Sequence, residues 1–90
     1  MRAGEASMLR KYQALKAHLE RRNGRAEMLS FEDIENIIGK SLPVSATKHR
    51  AFWANDQEGY HSHAQAWMGA GYRVAYVDRE DKIVRFERTR

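Results

Sequence analysis

Leu9, Tyr12, Leu15 and Leu19 recur three or four positions apart, with Met8 beside them and basic residues on the other positions. This spacing predicts an amphipathic helix over 7–22. Arg21 and Arg22 suit the negative end of its dipole, and Asn23-Gly24 supplies a stop. Met28-Leu29-Ser30 reads as a very short strand. Ser30 is a natural N-cap with Asp33 three residues on, and Phe31, Ile34, Ile37 and Ile38 form an apolar stripe that Gly39 ends. A second helix is therefore expected over 31–38. Leu42-Pro43 breaks the chain, Ser45 offers another cap, and a short helix is expected over 46–54, followed by a loop over 55–59. Ala64, Trp67 and Met68 give the inward face of a helix over 61–69. From Tyr72 the period becomes two: Tyr72, Val74 and Tyr76 alternate with Arg73, Ala75 and Val77, and a polar turn leads into Ile83-Val84-Arg85-Phe86-Glu87. That pattern predicts a hairpin of 72–78 with 82–88.

With 46–54 treated as an insertion, the order of these elements is that of a winged-helix domain. The fold expected is a small α+β, winged-helix-like domain over 8–88, a helical core plus a C-terminal β-hairpin, behind a flexible tail over 1–7. The short strand would pair with the hairpin as a third strand, since two strands alone are marginal. Ninety residues allow one small core and no large enclosed active site. The absence of Cys excludes disulfides, thiolate zinc sites and cysteine nucleophiles. No apolar run reaches the length of a membrane span, and the first residues lack a signal peptide's apolar stretch, so a cytoplasmic protein is expected.

Net charge is +4, but its distribution matters more. Residues 1–25 hold seven basic groups against two acidic, 26–60 three against six, and 61–90 six against four. A fold that gathers the two basic ends on one side would present the electrostatic footprint of a polyanion binder. Solvated helix and strand surface is the plainer explanation of the same charges.

Leu42-Pro43 with Ser45-Ala46, then Trp53-Ala54-Asn55, then His61-Ser62 with Gln65-Ala66-Trp67 before Gly71, form a recurring set of short motifs. The set resembles a widespread family of small bacterial domains with the pattern L-P-x-S-A, W-x-N, H-S-x-x-Q-A-x-A/W-W, A-G and a hairpin. Lys11-Tyr12 and the Ser30–Glu35 stretch also fit, so the resemblance spans residues 11–87. It implies an intact standalone domain and gives no catalytic assignment.

Two polar clusters are candidates for contact with DNA. His61, Ser62, His63 and Gln65 occupy the first turn of the 61–69 helix; there Gln can pair with adenine, and Ser and His can donate to phosphate or bases. The competing reading makes Ser62 or His61 a helix cap and lets Gln65 hold the Asn55 loop. Thr47, Lys48, His49 and Arg50 form the second cluster, where the cations would neutralise phosphates. Arg73, Arg79 and Lys82 extend the set into the hairpin, with 79–82 as the wing. Trp53 and Trp67 are expected in the core rather than as base-stacking platforms.

A zinc shell from His61 and His63 with His49 or Asp56 lacks a supporting motif. Glu80-Asp81-Lys82 holds the E-x-K fragment of a nuclease signature, but in a turn and without a second acidic partner. With no phosphate loop and no nucleophilic triad, neither an enzyme nor a cofactor is expected. The leading expectation is a non-enzymatic protein that binds duplex DNA through the 61–69 helix, the 79–82 wing and a basic face, as a homodimer or within a larger complex. The alternative is a protein-interaction adaptor that uses the acidic 32–35 helix and exposed aromatics.

Overall fold

The computed structural model describes residues 3–22, 24–55 and 62–89 of the chain. Helix α1 (Ala3–Glu20) leads to strand β1 (Ala26–Ser30) and helix α2 (Phe31–Ile38). Helix α3 (Ser45–Lys48) and a 3-10 turn (Arg50–Trp53) follow, then helix α4 (Ser62–Gly69) and the hairpin strands β2 (Tyr72–Asp78) and β3 (Ile83–Arg88). The protein is a small α+β domain whose antiparallel sheet has the strand order β1-β3-β2. The expected third strand is thus present, and it pairs with the second hairpin strand from Ala26↔Glu87 to Ser30↔Ile83.

Local chemistry accounts for these elements. The Ser30 hydroxyl accepts from Asp33 N–H at 2.9 Å, and the Asp33 carboxylate accepts from Ser30 N–H at 3.0 Å, closing the capping box of α2. Gly39 ends α2 in the left-handed region, and the Glu35 carboxylate reaches forward to accept from Leu42 N–H. Leu15, Leu19, Ile34, Trp67, Tyr72, Val84 and Phe86 fill the centre between the helices and the inner face of the sheet. The buried Tyr72 ring keeps its hydroxyl satisfied by donating to Gly24 O at 2.9 Å, and the Arg88 guanidinium lies over the same ring.

Four local expectations need correction. The backbone is helical from Ala3, where a tail over 1–7 was expected; Ala and Glu in that stretch favour helix. The 46–54 helix is two pieces, because His49 is extended (φ −125°, ψ 115°) and the chain tightens into the 3-10 turn beyond it. Ser45 is the first residue of α3 and not its cap; Val44 occupies that position without a side-chain cap bond. The alternation of β2 also breaks. Val74 pairs with Phe86 but Tyr76 pairs with Arg85, so Ala75 is an extra residue and the strand bulges. The bulge takes Tyr76 out of step with the buried Tyr72 and Val74, and it lies 55% exposed.

Candidate functional site

The polar residues of the motif set and of the two candidate clusters divide into an inward group and an outward group. Trp53 donates its indole N–H to Ala46 O at 2.9 Å. The His63 ring lies flat on Phe52, with 3.9 Å between ring centroids, and its Nε2 lies 2.7 Å from Phe52 O. A carbonyl oxygen can only accept, so Nε2 holds the proton and donates. Trp67, with no exposed surface, donates its indole N–H to Asn55 Oδ1 at 2.9 Å. Asn55 completes the set at strand β2: its Oδ1 also accepts from Val74 N–H at 2.8 Å, and its Nδ2 donates to Val74 O at 2.9 Å. These bonds fasten the 46–55 segment onto α4 and the sheet.

His63 is therefore a core residue, 8% exposed, and the expectation that it contacts DNA from an open helix turn is corrected. The reason lies in the face of α4 that packs inward: His63, Ala64, Ala66 and Trp67 are all buried. Gln65 is exposed on the opposite face. His61 and the Ser62 side chain lie outside the described residues. Asn55, which sequence reasoning treated as a loop residue, holds the region together. Its signal was Trp53-Ala54-Asn55 itself, but nothing in the spacing names Val74 as the partner.

The outward group is Thr47, Lys48, His49 and Arg50, all exposed. Arg79, at the start of the hairpin turn, donates Nη1–H to Lys48 O at 3.0 Å and so ties this cluster to the turn. Lys82 closes the turn in the left-handed region (φ 57°) and is exposed. Arg73 stands apart from this group on the outer sheet face, ion-paired at 3.3 Å with Glu87, which Arg85 also holds. The structure thus brings 47–50 and the hairpin turn together and leaves Arg73 in a different network.

Asp78 organises the turn by accepting from Asp81 N–H at 2.9 Å and Glu80 N–H at 3.0 Å. Those backbone donors, that of Asp81 first, hold its carboxyl below the usual aspartate range. The same carboxylate pushes the Tyr76 phenol up, and the Tyr76 hydroxyl donates to it at 3.3 Å. Beside the turn, a groove of about 400 Å³ runs between Arg50–Asn55 and the Val74–Val77 edge of β2. Among the described residues, no group of three or more His, Asp or Glu side chains could hold a metal ion. No described helix is long and apolar enough to cross a membrane.

A family model for a domain of unknown function, DUF7662, matches residues 12–89. The chain belongs to that family. The match covers the whole three-stranded sheet, α2, α3, α4 and the second half of α1. Comparison with the curated proteins and with the solved structures returned no match.

Proposed function

We propose that this DUF7662 domain is a small, non-enzymatic DNA-binding module of the winged-helix type, contacting duplex DNA through α3 and the hairpin turn. The observation that supports this most is the Arg79–Lys48 bond, which holds the 47–50 cluster beside the 79–82 turn. The strand order β1-β3-β2, with α4 running directly into the hairpin, is the arrangement a wing requires. On this reading Lys48, Arg50, Arg79 and Lys82 meet phosphates, and Gln65 is the described residue of α4 nearest to a reading role. Helix α4 contains no Lys or Arg and packs most of its side chains inward. Phosphate contacts then dominate, and binding tolerates many sequences. Four cations share the turn region with Asp78, Glu80 and Asp81. The field of one copy is correspondingly modest, and two copies or a larger complex would strengthen it.

Titrating random duplex DNA at several salt concentrations tests this. Lys48→Gln with Lys82→Gln should weaken binding similarly on every sequence and reduce the log–log salt slope by about 1.8, the release of two phosphate contacts. The melting temperature should stay close to wild type, because both side chains are exposed. An unchanged slope would remove α3 and the wing from the interface.

A further inference from the structure

Strand β2 is an edge of the sheet, and an edge strand presents backbone N–H and C=O groups able to pair with another chain. At Val74 these two groups are already paired, and the partner is a side chain. The Asn55 amide accepts from Val74 N–H at 2.8 Å and donates to Val74 O at 2.9 Å, the reciprocal pair that a residue of a neighbouring strand would make. Val74 faces away from β3 in this rung. Its pairing with Phe86 and the pairing of Val77 with Val84 are equivalent positions of the ladder, separated by the bulge at Ala75. The Val77 N–H and C=O therefore point to the same outer edge, one rung beyond the Asn55 amide.

The groove beside these rungs has a defined chemistry. Among the described residues that line its Val74–Val77 portion, Arg50 is the one that is charged, and Tyr76 and Val77 supply apolar surface. A second stretch shares Arg50, Ala75, Tyr76 and Val77 and continues through Asp78 and Arg79 to Glu80. The slot thus runs from Asn55 to the start of the hairpin turn, and Arg50 is the charged side chain beside the Val77 rung.

We infer that this groove binds an extended acidic peptide as a fourth strand of the sheet. Its backbone pairs at Val77, a carboxylate meets Arg50, and an apolar side chain lies on the Tyr76 ring. Alternating side chains of an extended strand suit one charged wall and one apolar wall. A nucleic-acid strand offers no reciprocal N–H and C=O pair to Val77. This site goes beyond the DNA reading: it shares Arg50 with that surface but does not depend on Lys48 or Lys82.

The test is an amide-resolved NMR titration of the full chain with an end-blocked hexapeptide of alternating valine and glutamate. Parallel titrations use the valine–lysine counterpart, the glutamate peptide N-methylated at alternate backbone nitrogens, and a short thymidine oligomer. The glutamate peptide should shift the Ala75, Tyr76 and Val77 amides and bind about fivefold more tightly than the lysine peptide, as expected for one partly exposed ion pair. N-methylation should abolish the shifts. Arg50→Gln should remove the preference for glutamate and Arg50→Glu should invert it, while Lys48→Gln with Lys82→Gln leaves the peptide titration unchanged. The inference is overturned if the two peptides bind alike, if the N-methylated peptide binds as well, or if no amide from 75 to 77 responds. It is equally overturned if the oligomer shifts these amides and the peptide does not.

Discussion

Asn55 shows what one side chain can do when its partners come from two distant places in the chain. Its amide joins the Trp67 indole on α4 to the Val74 backbone on β2, immediately after the 3-10 turn. Asn55→Ala would leave the Trp67 N–H and both Val74 groups without these bonds, and should lower stability by about 1–3 kcal/mol in urea unfolding. Asn55→Asp, which keeps the acceptor and loses the donor to Val74 O, should lose stability as well. An Asn55→Ala protein with an unchanged unfolding midpoint would show that the clamp does not hold the segment. At this scale the sequence was uneven to read. Trp53 and Trp67 were legible as core because helical spacing and bulk point inward. His63 was not, because a histidine flat against Phe52 and bonded to Phe52 O depends on a contact eleven residues away that no local period encodes.

At the scale of elements, the most legible piece was α2. Its cap, its stripe and its terminating glycine are all local, and each is present in the fold. Least legible were the split at His49 and the bulge at Ala75, because both answer to tertiary pairing rather than to periodicity. The bulge alone decides that Tyr76 faces solvent beside Asp78, and Asp78 in turn governs the hairpin turn. The Asp78 carboxyl is depressed by the Asp81 and Glu80 N–H groups, so its contribution to the turn is fully present above the ordinary aspartate value of about 4. That contribution is lost as pH falls through the depressed folded value. The Glu80 and Asp81 amide shifts, followed by NMR against pH, should therefore titrate with a midpoint below that of an unperturbed aspartate. A midpoint at or above the ordinary value would contradict the capping role.

For the molecule as a whole, the α+β architecture and the three-stranded sheet could be read because the change of period at Tyr72 separates helices from hairpin. The surface proposed for DNA could be read only in part. Thr47–Arg50 and the turn residues were expected to act together, but their joining depends on Arg79 reaching Lys48 O across thirty-one positions. The 61–65 turn was expected to belong to the same surface, and burial removes His63 from it. The most direct measurement is an amide map of the full chain titrated with random duplex DNA at low salt. The amides of Thr47–Arg50 and Arg79–Lys82 should shift together and return as salt is raised. Shifts confined to α2 around Glu32–Glu35, or to the outer sheet face around Arg73 and Arg85, would contradict a DNA interface built from α3 and the wing.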